Sequence, residues 1–244
     1  MKRSVMMILT GIFSVSALHI MLSSFSVNDE ETIRIRKTID FTITGDGSSA
    51  NWSKAGWHII PSRSSSPENY TTKVKVLYSA TGMYFLYSCG DTKLTSTMSS
   101  DFLDLWNEDV VEVFIQPNVK RPVYLEYELS PMNYELPILI YNDSGKLNSW
   151  IPFHYNEDQK TRHATSVQGG EKKGGAEVKS WMGEFFIPYK IMKLITAEFP
   201  KTGTKWKGNF FRVDYDNGGE SLFSWRATSG NFHEYKKFGV FQFE

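Results

Sequence analysis

Trp106-Asn107-Glu108-Asp109-Val110-Val111-Glu112-Val113-Phe114-Ile115 is the stretch on which the fold is read. A polar turn carrying one tryptophan runs into strict two-residue alternation, the signature of a β-strand. Val111, Val113 and Ile115 share one face, and Val110, Glu112 and Phe114 share the other. Downstream, Val123, Leu125, Tyr127 and Leu129 alternate with Tyr124, Glu126 and Glu128, while the prolines at 117 and 122 confine the segment between to a loop. The whole reads as a hairpin from Asp109 to Ser130. Symmetric pairing about Val119 places Glu112 opposite Glu126. Like charges facing each other across a sheet need relief from a cation, from proton uptake or from the donors of a ligand. Arg212 is the candidate cation, and a plainly solvated sheet face is the alternative.

Working outward, Val74, Val76 and Tyr78, then Met83, Phe85 and Tyr87, alternate around Ser79-Ala80-Thr81-Gly82, predicting a second hairpin over Lys73–Ser88. Further strand-like stretches are Thr38–Thr44, Leu136–Tyr141, Ala176–Ile187, Asn209–Tyr215, Ser221–Trp225 and Phe238–Phe243. Pro188, followed by Tyr189, Ile191, Met192 and Ile195, has the spacing of one short helix. Gln168–Gly175 carries four glycines among charges and reads as a mobile loop, without the order of a phosphate-binding loop. Many short strands at this spacing predict an all-β chain, a two-sheet antiparallel β-sandwich of jelly-roll type with one short helix.

The chain has 244 residues, 41% of them apolar, enough for one domain with its own core. Lys plus Arg equals Asp plus Glu at 27 each, so no net field steers the protein toward nucleic acid. Met1-Lys2-Arg3 and the apolar run Val5–Leu22 read as a signal peptide over 1–26, with small residues at Ser24 and Ser26 before a cut at Val27. The mature domain is then 27–244, with no membrane span after cleavage, in a secreted, periplasmic or cell-surface location. Cys89 is the single cysteine, so no internal disulfide forms. Asn51, Asn69 and Asn142 each begin an Asn-x-Ser/Thr sequon.

Trp52, Trp181 and Trp225 sit among apolar neighbours and read as core, whereas Trp106 lies in a polar loop and reads as exposed. An exposed indole beside carboxylates suits a sugar, whose C–H face stacks on the ring while its hydroxyls meet charged groups. The Trp106–Ile115 block resembles carbohydrate-binding module family 9, matching its W-x-x-D-x-V-E-x-F-I signature. Lys73–Tyr78 with Met83–Leu86, Gly183-Glu184-Phe185-Phe186-Ile187-Pro188 and Lys237-Phe238-Gly239 agree with further family blocks in order, from about Thr38 to the C-terminus.

The resemblance implies a non-catalytic sugar-binding sandwich, related to DOMON domains, that aids polysaccharide breakdown and works beside a glycoside hydrolase. It implies an aromatic clamp of Trp106 and Phe232, the latter where the family usually has a second tryptophan. Polar partners carried over by position are Glu112, Arg212 and Glu128, the last standing where well-characterised members have an arginine. It also implies structural calcium, for which Asp40, Asp46 and Asp91 are scattered candidates. Two other readings compete: a glycoside hydrolase using Glu112 with Glu126 or Glu128, and a haem-binding DOMON-type domain using Met83, Met98 and His233.

Overall fold

The computed structural model describes residues 31–63 and 70–244. The expected signal peptide and the sequon at Asn69 lie outside the described residues.

One sheet runs in the order β8 (Lys146–Pro152), β7 (Glu135–Asp143), β6 (Val123–Leu129), β5 (Val110–Gln116), β11 (Lys205–Asp214), β13 (Gly239–Phe243). The short β12 (Ser221–Ser224) pairs with the C-terminal half of β11, beyond the segment that β13 occupies. The second sheet runs β3 (Thr72–Tyr78), β4 (Gly82–Gly90), β10 (Ser180–Pro188), β9 (Arg162–Gln168), with β2 (His58–Ile60) on β3. Neighbours are antiparallel except at β1 (Thr32–Lys37). Its first four residues run parallel to β13 and its last two parallel to β3, so one strand joins the edges of both sheets. This is the two-sheet sandwich that the alternation predicts.

Between the sheets lies a core built from Val111, Val113 and Ile115 of β5, Leu125, Tyr127 and Leu129 of β6, Phe210 of β11, and Phe85, Tyr87 and Phe185 from the facing strands. Trp181 and Trp225 are buried in it, and Trp52 is buried in a smaller cluster on the outside of the second sheet. Burying aromatic side chains of this size contributes roughly 2–3 kcal/mol each, by area. A third apolar cluster covers the outer face of the first sheet, with Val110, Phe114, Tyr124, Ile138, Ile140 and Phe211. The sheet carrying the Trp106 block is thus apolar on both faces, and polar groups on its outer face lie among hydrophobic neighbours.

Several elements differ from the sequence reading. The Asp109–Ser130 hairpin forms, but its register pairs Glu112 with Glu128 and Phe114 with Glu126. The shift is two residues, so every side chain keeps its face. Loop closure sets it: Arg121 N donates to Asn118 O at 3.1 Å, tightening the turn between the prolines. Thr38–Thr44 is not a strand. Thr38 N still reaches Tyr78 O at 2.7 Å, but the amide of Phe41 then donates to the Tyr84 hydroxyl at 3.2 Å, and those of Thr44 and the following Gly45 to the buried Glu184 carboxylate at 3.0 and 2.7 Å. The segment after Pro188 is a 3₁₀ turn, Tyr189–Leu194, that buries Tyr189, Ile191 and Met192. The glycine-rich loop is tied down: Gly175 N donates to Leu94 O at 2.7 Å, and a Cβ on Gly174 would lie 2.3 Å from Ser96 O. Its glycines permit close backbone approach where the composition alone reads as mobility.

Candidate functional site

Cross-strand pairing lays the outer face of the first sheet out in rows. One row reads Phe211, Glu112, Glu128, Leu136 across β11, β5, β6 and β7. The next reads Asn209, Phe114, Glu126, Ile138, and beyond it Tyr124, Ile140 and Trp150 align on β6, β7 and β8. Above these rows is a cavity of about 500 Å³, within the size range of small-ligand pockets. Its floor is Glu112, Phe114, Glu126, Ile138 and Ile140, and its walls include Trp106, Trp150 and Phe232.

Trp106 stands on a 3₁₀ turn, Leu105–Asn107, directly before β5. Its backbone carbonyl accepts from Tyr215 Oη at 2.8 Å. Asp109, buried, ties the turn from below by accepting from the amides of Thr95 (2.6 Å) and Tyr215 (2.9 Å). Burial pushes the Asp109 carboxyl up to about 8. The aspartate of the signature is therefore a positioning residue for the indole beside it. Trp106 is half-buried, and its ring meets Trp150 edge to face at 5.3 Å.

Phe232 lies across the cavity on the 229–234 loop. It stacks on Phe211 of β11, with ring centroids 4.1 Å apart and planes 17° from parallel. Glu234 holds the loop by accepting from the amides of Ser229 (3.1 Å) and Gly230 (2.6 Å). Asn142 Nδ2 donates to His233 O at 2.7 Å, and the Tyr124 hydroxyl bonds His233 Nδ1 at 2.8 Å. Burial lowers His233 to about 4, so the imidazole is neutral at ordinary pH. The sequon asparagine Asn142 is thus a buried structural amide. Arg63 closes the rim, its guanidinium 5.8 Å from the Phe232 ring centre and donating to Gly230 O at 3.0 Å.

Glu112, Glu126 and Glu128 form the polar centre. All three are buried, and carboxylate oxygens from the three lie within 4.8 Å of one another. Among the described residues, neither oxygen of Glu128, nor Oε2 of Glu126, has a partner outside the cluster, and Glu126 and Glu128 lie within hydrogen-bond reach of each other, a contact that a proton on one of them completes. Burial, and secondarily the charge of Glu126, raises Glu112 well above the usual carboxylate range. Burial, then the charges of Glu112 and Glu126, does the same to Glu128, and burial raises Glu126. With all three raised together, no member is set apart as the ionised nucleophile of a hydrolase pair.

Of the residues singled out in the sequence, Trp106, Glu112 and Phe232 meet in this cavity, and Glu128 lies behind Glu112 in its row. Arg212 does not join them. It aligns with Val111 in the β5–β11 register, one residue out of phase with Glu112, and so points between the sheets. There it donates to Gly90 O (2.6 Å) and Thr72 Oγ1 (3.2 Å) and pairs with Asp91 (3.0 Å) and Asp214. It is a structural cation and does not relieve the glutamates. Trp150, Phe114 and Arg63 line the cavity without having been singled out. The Asn142-Asp143-Ser144-Gly145 stretch could have found Trp150, because Ser144 and Gly145, at φ 58° and 90°, make the tight turn that aligns β8 with β7.

The calcium candidates are not gathered. Asp40 accepts from Thr81 and Tyr84, and Asp46 from Thr44 and Ser48, within their own loops. Asp91 belongs with Asp214 and Asp216, whose oxygens approach within 4.8 Å. Arg212 Nη2 already holds the oxygens of Asp91 and Asp214 that an ion would need, so these residues do not fit calcium as arranged. The haem candidates are likewise divided, with Met83 in the core between the sheets and His233 on the outer cavity.

A profile described as "Carbohydrate family 9 binding domain-like" matches residues 43–244. The chain belongs to this family. A Bacteroides uniformis crystal structure, described as that of a candidate carbohydrate-binding protein, superposes with a TM-score of 0.72 at 14% identity, covering 88% of this chain and 99% of that one. A family 9 module from Caldicellulosiruptor kristjanssonii bound to cellotriose superposes with a TM-score of 0.62 at 16% identity, covering 88% and 94% of the two chains. The same organism's module bound to glucose gives 0.63 at 17%, covering 88% and 96%. At these identities the superpositions speak to the fold. An Arthroderma benhamiae protein named "Extracellular protein" is 26% identical over 151 residues, or 58% of this chain and 63% of its own length. Among the described residues no helix is long and apolar enough to cross a membrane.

Proposed function

We propose that this family 9 domain binds a carbohydrate in the outer-face cavity without cleaving it. The observation that carries this reading is the meeting of Trp106, Phe232 and Glu112 around one concave space. Two aromatic walls receive the apolar face of a sugar ring, and a carboxylate between them accepts from its hydroxyls. Only a short chain end fits about 500 Å³. A disaccharide, at roughly 0.3 kcal/mol for each of its two dozen heavy atoms, reaches micromolar affinity at best. The glutamates, raised together so that none is set apart as an ionised nucleophile, support binding over hydrolysis. Export by a cleaved signal peptide, with the ligand met outside the cell, accords with the name of the Arthroderma relative. Service beside a glycoside hydrolase in polysaccharide breakdown completes the proposal.

A glycan array followed by calorimetry tests it. The wild type should retain one class of oligosaccharide, and Trp106→Ala should weaken binding at least tenfold while the melting temperature moves by only a few degrees. Release of sugar by the isolated chain would contradict the non-catalytic reading.

A further inference from the structure

The cavity presents an electrostatic problem that a neutral sugar does not solve. Its lining carries Glu112, Glu126 and Glu220 against the single guanidinium of Arg63, and Glu128 adds another carboxylate directly behind. Among the described residues no Lys or Arg forms an ion pair with Glu112, Glu126 or Glu128, and Arg63 spends a donor on Gly230 at the rim. Glu128, fully buried, has two oxygens without a partner outside the cluster among the described residues, and Glu126 has one. Orphaned carboxylate oxygens this deep cost several kcal/mol unless a proton or a cation joins them. The rest of the lining is largely aromatic and aliphatic, Phe114, Trp106, Trp150, Phe232, Ile138 and Ile140 among them, with Tyr215, Asn231 and His233 as its uncharged polar members.

We propose that the ligand of this cavity is a cationic amino sugar, its ammonium seated against Glu112 and Glu126 and its ring between Trp106 and Phe232. The inference rests on the carbohydrate reading of the site and names the sugar class. An ammonium donates three hydrogen bonds and accepts none, so on binding it takes the place of the protons that the raised glutamates otherwise hold. Its charge also gains from the faces of nearby aromatic rings. A neutral hexose brings no charge to take the place of those protons, so the glutamates stay protonated beneath it. A divalent ion such as calcium seeks six to eight oxygens, whereas beyond its carboxylates this cavity offers mainly carbon.

The test is calorimetry on the full chain at about pH 7, with four probes: the β-1,4-linked trimer of glucosamine, its N-acetylated counterpart, cellotriose, and calcium chloride alone. Acetylation keeps the nitrogen and removes the charge, so it isolates the ammonium. The glucosamine trimer is expected to bind at least tenfold more tightly than either neutral trimer. Glu126→Gln should erase that margin, the glucosamine trimer then binding no more tightly than cellotriose to the same variant, with a melting temperature no lower than wild type showing that the fold is intact. Equal or tighter binding of cellotriose overturns the amino-sugar inference and leaves the carbohydrate reading standing. Binding of no sugar overturns both. Calcium binding that Glu126→Gln abolishes assigns the cluster to a metal and overturns the inference.

Discussion

Two carboxylate clusters lie back to back on the β5–β11 strand pair. Between the sheets, Asp91, Asp214 and Asp216 surround Arg212, and Tyr70 and Thr92 hydroxyls donate to Asp216 at 2.5 and 2.6 Å. On the outer face, Glu112, Glu126 and Glu128 crowd as closely, with no cation among the described residues and three oxygens that have no partner outside the cluster. The inner cluster is closed by the protein itself, and its residues lock the end of β4 onto β11. The outer cluster is left for something else to close, and a cavity lies above it. On the proposed reading, side chains of the same chemistry serve structure where the counter-ion is built in and recognition where it is not.

The comparison breaks most sharply at Arg212. Arg212→Met should leave Asp91 and Asp214 buried without their cation and destabilise the fold by about 3–5 kcal/mol. Chemical denaturation should show that drop, and a loss under about 1 kcal/mol would mean the inner cluster is not held together by its ion pairs.

The outer cluster should respond in the opposite direction. The raised glutamates hold protons in the folded state that the unfolded chain releases near pH 4.5. Their contribution is therefore fully present below that value and is lost as pH rises toward the folded value, about 8 for Glu126. Glu128→Gln removes one buried charge without changing its shape. It should raise stability by roughly 1–3 kcal/mol at pH 8 and change little at pH 4. A destabilised Gln variant at pH 8 would show that Glu128 has an internal partner. The smallest effect is expected from Trp150→Ala on the exposed edge strand β8: a loss of sugar affinity of a few-fold, below that of Trp106→Ala, with stability unchanged.

The sandwich and the two faces of β5 and β6 are legible in the sequence because period-2 alternation reports which side chains share a face, and both faces are well packed. Where burial is lopsided the signal fades. β8 is exposed along nearly its whole length, so it shows no clean alternation, and Trp150 vanishes with it. Thr38–Thr44 does alternate, yet the amide of Thr44 is claimed by Glu184 and that of Phe41 by the Tyr84 hydroxyl, contacts 140 and 43 residues away that no local pattern encodes. Pairing registers are equally hidden. The hairpin loop with two prolines closes two residues away from the symmetric solution, which exchanges Glu126 for Glu128 opposite Glu112. Arg212 can be assigned to the inner face only once the β5–β11 register is known, since a shift of one residue would have put it beside the glutamates. The gathering of Trp106, Glu112 and Phe232 at one cavity needed the fold to bring together segments more than 100 residues apart.

The central claim is that ligand closes the outer cluster and leaves the inner one untouched, and the tryptophan side chains report on both. Indole N–H resonances should be followed by NMR while the glucosamine trimer and cellotriose are titrated in turn. Trp106 and Trp150 line the cavity, Trp181 and Trp225 are buried in the core, and Trp57 lies exposed against Lys73 and Lys75 on the other sheet. The expected result is a saturable shift confined to Trp106 and Trp150, larger with the amino sugar. A shift centred on Trp57, or none at any indole while binding is measured, would contradict it.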